Sequence, residues 1–258
     1  LLRFGVEDSA TQSFIACIAS AIFYAQYKQD KPFIKYFLPK AKTMVPNIAE
    51  MKTILINAID LDKFVKYQNG DLITSFAAPD LNVNIDDYKE TNLFKKIHKK
   101  SDAELFVIKV AQSFENFKNF LKDDKITIDY LYLWDLICMP NSKLFDSGIN
   151  LVILEIPEND ITNNVDLVCP SNHYSINTYD ARKRTLFLIK RENYFEPIYA
   201  YRNDGKTIHV TKTFSEYDRT LPKTLKNVFS KIIKPTLGEN AKPLLVDPMN
   251  IDLNIQYY

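Results

Sequence analysis

Apolar and polar positions alternate along the chain in patterns that change character about halfway. Ser9 to Lys28 predicts a helix, with Phe14, Ile15, Ile18, Ile22 and Phe23 at helical spacing and Ser9 or Thr11 available as a cap. Small residues fill its other faces, which predicts a buried central helix rather than a surface one. From Pro32 to Tyr67 the pattern gives short helical pieces broken by Pro39 and Pro46, with Met51 to Tyr67 amphipathic. Asn69 to Asp87 reads as a polar connection, and Glu90 to His98 as a short basic piece. Ala103 to Lys122 is the clearest helix, with Phe106, Val107, Val110, Phe114, Phe117 and Leu121 as one stripe.

Beyond residue 128 strand signals dominate. Tyr130 to Cys138 is aromatic and apolar, and Ile149 to Ile156 is a fully apolar run of strand length. Val165 to Cys169, Thr185 to Lys190, Pro197 to Tyr201 and Thr207 to Thr213 are further strands. Leu221 to Ile233 predicts a terminal helix, followed by an extended Pro-rich segment. Helices first and strands second is an α+β order, not the alternation of a doubly wound sheet. The expectation is one domain over 1–258, helix-rich in 1–128 and strand-rich in 129–258, with a mostly antiparallel sheet.

Composition narrows the function. The 258 residues contain only five glycines, and none of Gly5, Gly70, Gly148, Gly205 and Gly238 has another nearby. A phosphate-cradling Gly-rich loop is thereby excluded, and with it P-loop, Rossmann and kinase chemistry. Lys+Arg is 33 against 32 Asp+Glu, which disfavours a general nucleic-acid clamp. Of the 33 basic residues only six are Arg, and the Lys, Asn, Ile, Tyr and Phe bias points to an AT-rich genome. Cys17, Cys138 and Cys169 are odd in number and lack CxxC spacing, so free thiols in an intracellular, reducing compartment are expected rather than secretion. No apolar run reaches about 18 residues, so no membrane span is expected. The chain begins at Leu1, and we expect a segment of a longer protein.

Several constellations offer chemistry. A cysteine near the start of a buried helix and a distant histidine outline a thiol hydrolase, with Cys17 as nucleophile and His173 as base. The plainer reading makes Cys17 a small core residue about two turns inside its helix. Cys169 and His173 stand four apart in CPSNH, but Pro170 opposes a helix, and a zinc site would need Cys138 and His209 as well. No metal and no cofactor are expected. A nuclease of the PD-(D/E)xK kind is disfavoured because Glu155 is followed by Ile156 and Pro157, not by x-Lys. The basic run FKKIHKK (94–100) reads as a solvated surface before it reads as a nucleic-acid contact.

Three segments in order resemble the OTU family of papain-like cysteine peptidases, which remove ubiquitin. The family's signature, roughly D-G-N-C-L-F-R-A-I-A, opens a buried helix with the nucleophile; here TQSFIACIA (11–19) puts Gln12 in the Asn place and Ser13 in the Cys place. A Trp-containing segment then precedes a short helix and an apolar strand, as Tyr132-Leu133-Trp134-Asp135 precedes Leu136–Asp146 and Ile149–Ile156 here. The last signature is an apolar strand, a short turn and His-Tyr-x-Pro; here Thr185–Lys190 is followed by NYFEPI, with Tyr194 in the His place. The resemblance implies a papain/OTU-like fold whose catalytic positions are changed. A serine hydroxyl needs a strong base, and a tyrosine of pKa near 10 cannot be one at neutral pH. The Asp-Gly approach to the nucleophile is replaced by Ser9-Ala10-Thr11.

YLWDLICMPNSKLFDSGINLVILEI, CPSNHYS and NYFEPIYAY also resemble stretches of very large proteins of nucleocytoplasmic large DNA viruses. That likeness implies a virion- or transcription-associated scaffold in the infected-cell cytoplasm or virion. The reading is an inactive OTU-like module that binds a protein partner, a viral assembly or transcription component or a ubiquitin-like protein, through Trp134, Tyr194, Phe195 and Glu196. A core strand with Tyr hydroxyls at its rim is the plainer account of that segment. Two alternatives stand beside it: an active deubiquitinating peptidase with Cys17 or Ser13 and His173, and a nucleic-acid-associated scaffold.

Overall fold

A computed structural model describes residues 1–28, 45–97, 103–158, 165–168, 179–203 and 208–237. A mixed sheet lies between two helical layers. The strands are β1 (Leu2–Arg3), β2 (Asn150–Ile156), β3 (Asp166–Val168), β4 (Thr185–Arg191), β5 (Tyr194–Asn203) and β6 (Ile208–Thr211). Their order is β1-β5-β4-β2-β3, with β6 also on β5. The described pairings are antiparallel except the central one, where β2 and β4 run parallel from Asn150 opposite Thr185 to Ile156 opposite Arg191. The expected α+β class stands. The sheet is mixed rather than simply antiparallel, and its β1 comes from the N-terminus.

The apolar run in β2 is explained by burial on both faces. Leu151 and Ile153 face the larger core with Leu186 and Leu188 of β4. Val152 and Leu154 face the other way, with Phe187 and Ile189, onto the C-terminal helical segment. That segment comprises a helix at Lys223–Val228, a π-helical turn at Phe229–Ile233 and a last turn at Lys234–Leu237. The predicted single helix is therefore kept in place but widened at its middle.

On the larger face lie α1 (Ser13–Lys28), α2 (Ile48–Ala58), α3 (Leu61–Phe64), α4 (Asp71–Ser75), α5 (Asn92–Ile97), α6 (Ala103–Lys122) and α7 (Tyr130–Cys138). From Ser13 to Ile22, α1 is buried at every position, as its small and apolar residues predict. It begins four residues later than Ser9, because Ser9 Oγ instead accepts the Gln12 N–H at 3.0 Å and shapes the preceding turn. The amphipathic stretch from Met51 breaks at Asp60. Asn47 and Glu50 close a capping box at the start of α2, and the Asp60 carboxylate accepts the Lys63 N–H to start α3. In α6 the ends match the predicted ones. Val107, Val110, Phe114, Phe117 and Leu121 are buried, but Phe106 is 47% exposed, one position off a 3-4-3-4 spacing. No helix among the described residues is long and apolar enough to cross a membrane.

Candidate functional site

The first turn of α1 meets the start of β5. Ser13 is the first residue of α1, and its Oγ accepts the Phe195 N–H at 2.9 Å. Ser13 and Tyr194 are 181 positions apart in sequence, yet the hairpin from Arg191 to Tyr194 delivers β5 directly onto Ser13. Ser13 is 1% exposed. A hydroxyl so enclosed, and already accepting a backbone hydrogen bond, is closed to a substrate.

Cys17 lies one turn further on and is fully buried. Burial pushes its thiol well above the ordinary range, and the Glu196 carboxylate adds to that. A protonated, enclosed thiol has the surroundings of a core group. The Tyr194 phenol is half-buried; burial raises it first, then the negative charges of Glu196 and Asp8, with Arg3 opposing. Glu196 pairs with Arg3, Nε to Oε2 at 3.0 Å, which ties β1 to β5. His173 and Cys169 lie outside the described residues, as does His98.

Of the four partner-contact candidates, Trp134 and Phe195 are core residues, 3% and 1% exposed. The Phe195 ring stands edge-on to Phe14 at 5.3 Å and to Tyr130 at 6.2 Å, and Tyr130 meets Trp134 at 6.2 Å. These rings fasten α1, α7 and β5 together. Only Tyr194 and Glu196 of the four present surface.

Gln12, the residue before Ser13, turns its side chain to other partners. Its side-chain amide donates to the carbonyls of Asp123 at 2.9 Å and Ile126 at 3.3 Å. Its Oε1 accepts from Lys52 Nζ, which also donates to the Asp123 carbonyl and to Asp124 Oδ1. The three ammonium protons of Lys52 are thus matched by three acceptors, two enclosed and one, on Asp124, at the surface.

The structure joins residues that no local pattern connects. Ser20 Oγ lies 2.6 Å from the Tyr199 hydroxyl and 3.2 Å from Lys212 Nζ. Lys212 also stands over the rings of Tyr199 and Phe4, and burial lowers its pKa. Ser20 sits mid-helix and nearly sealed, where the backbone N–H groups of its own helix are engaged in helical hydrogen bonds rather than free to stabilise an oxyanion. The lysine missing after Glu155 is supplied by the neighbouring strand: Lys190, in register opposite Glu155, binds Oε1 at 2.5 Å. That ion pair occupies one oxygen of the carboxylate, and Asp129 nearby caps α7 by accepting the Leu131 N–H. His209 is exposed on β6, and burial pushes the Cys138 thiol up to about 12. Among the described residues no three His, Cys, Asp or Glu side chains are grouped to hold a metal. The described part of the basic run lies on α5, which buries no residue, and Lys95 there is paired with Glu90.

Comparison of the chain with protein-family models, with curated proteins and with solved structures finds no match.

Proposed function

We propose that this chain is an OTU-like module without catalysis, a protein-interaction scaffold within a large DNA-virus protein. The observation that carries the reading is the junction of Ser13 with β5. The resemblance puts a nucleophile at the head of a buried helix and its base after an apolar strand and short turn. Ser13 heads α1, and Tyr194 follows β4 and a two-residue turn. Ser13 Oγ accepts a backbone N–H there, in a place closed to substrate. Burial also keeps the Cys17 thiol protonated. A helix head and a strand start that meet without an accessible nucleophile support a reading in which this surface serves binding, with Tyr194 and Glu196 at its rim. The ubiquitin-like class of partner rests on the resemblance alone.

A ubiquitin-based, thiol-reactive probe tests the loss of catalysis. No covalent adduct is expected on the folded chain. An adduct that disappears in Cys17→Ala or Ser13→Ala would overturn it. Titration with free ubiquitin tests the partner: saturable binding weakened by Tyr194→Ala is expected, and its absence removes ubiquitin as the occupant.

A further inference from the structure

A second feature lies on the opposite end of the central strands, where β2 and β4 begin. A cavity of about 180 Å³ opens there, lined by Ser147, Gly148, Arg182, Lys183, Arg184 and Thr213 among others. Two of the chain's six arginines fall in this one turn, flanking a lysine, although the whole chain is nearly neutral. Facing those three cations, the lining contains one carboxylate, Asp146.

Gly148, in the lining, lets the chain pass close against the end of α7. Its φ is +70°, and a Cβ there would lie 2.4 Å from the Cys138 carbonyl and 3.2 Å from Lys183 Cε. Lys183 Nζ donates to the Cys138 carbonyl at 3.1 Å, at the C-terminal end of α7. An ammonium carries three donors, so two remain. Arg184 uses Nε and Nη2 on the hydroxyl and carbonyl of Thr213, which fixes the guanidinium and leaves its Nη1 hydrogens. Arg182 is held on Asp180 through Nε and Nη2. The cationic heads are therefore fastened by contacts within the fold, which lowers the entropy lost when a ligand arrives.

We propose that this cavity binds a small oxyanion of the phosphate class, free or as the monoester of a small molecule. Lys183 supplies the point charge and Arg184 the planar donors, the pairing that suits tetrahedral oxyanions. Ser147 adds a hydroxyl at the rim. Asp146 opposes the ligand and limits affinity. This site is independent of the junction at Ser13.

Calorimetric titration of the chain with inorganic phosphate, with chloride holding ionic strength constant, tests the proposal. One saturable site is expected. Lys183→Met should weaken it about tenfold or more, the scale of one charge-assisted hydrogen bond. Lys183→Arg should retain binding, and Asp146→Asn should tighten it, an effect that damage to the fold would not produce. The affinity of glucose 6-phosphate relative to phosphate, with glucose as the control, then distinguishes a monoester from the free ion: tighter binding of the ester assigns the monoester, and equal or weaker binding the free ion. No saturable heat up to about 10 mM phosphate, a range that reaches millimolar affinities, would overturn the proposal. So would equal affinity in Lys183→Met and Asp146→Asn.

Discussion

The buried Asp135 carboxylate accepts the Gln68 N–H at 2.6 Å, and so holds a left-handed turn that ordinary residues avoid. Gln68 and Asn69 both have positive φ, +49° and +53°, just before Gly70 at +95°. Gln68 also donates its side-chain amide to the Leu131 carbonyl on α7. Asn69 and Gly70 suit such a turn by residue type, whereas Gln68 is held in it by α7. Asp135→Ala would leave a buried N–H without its acceptor and should cost about 2–4 kcal/mol. Denaturant unfolding should show the loss, and Asp135→Asn, which keeps an acceptor oxygen, should lose less.

Lys52 and Asp124 form an ion pair whose two partners differ sharply in weight. The lysine side chain is 4% exposed and the aspartate 84%. Lys52→Met removes the donor to Gln12 Oε1 and to the Asp123 carbonyl, and should destabilise the chain by about 2–4 kcal/mol. Asp124→Asn should change stability by less than about 1 kcal/mol, as for other solvent-screened partners. Equal losses in the two variants, read from urea midpoints, would refute this account.

Gly148→Ala should be among the more damaging single methyl additions. The added carbon meets a backbone carbonyl and sits at a φ that disfavours a side chain. A loss of about 2–4 kcal/mol follows, visible as a lower melting temperature. Gly5→Ala, where nothing lies within 4 Å of the new atom, serves as the control and should be close to neutral.

Alkaline stability should fall from about pH 10 upward. Burial raises the phenols of Tyr67, Tyr179 and Tyr199 above their ordinary value. Above pH 10 the unfolded chain releases those protons while the folded chain retains them, so their stabilisation is whole below that pH and drains above it. Lys212, whose pKa is lowered, acts in the opposite direction as pH approaches 10.5. Three enclosed phenols outnumber one half-buried amine. Absorbance of tyrosinate should therefore rise together with unfolding, and a separate, earlier rise for these residues would contradict the burial assigned to them.

How far the sequence announces this fold depends on the range of the forces involved. The ends of α6 and the run in β2 are local patterns, and both were legible. The break at Asp60 was not, because an amphipathic stripe continues across it and only the capping carboxylate separates α2 from α3. Parallel pairing of β2 with β4 leaves no local trace, since an apolar run fits either direction. At the candidate site, the family likeness paired Ser13 with Tyr194, and the fold brings Ser13 against Phe195 next door. Periodicity had no means of saying that Trp134 and Phe195 point inward, because aromatic residues serve cores and contact surfaces alike. The Ser20, Tyr199 and Lys212 cluster joins positions 179 and 192 apart and carries no motif.

The parallel pairing at the centre of the sheet also orders events during synthesis. β2 is complete at Ile156, while its partner does not begin until Thr185. Until then a strand apolar on both faces has left the ribosome with only the short β3 available to pair with it. Such non-local closure is slow and leaves the nascent chain prone to aggregation. A chain halted between these strands should therefore depend on chaperones far more than the finished one.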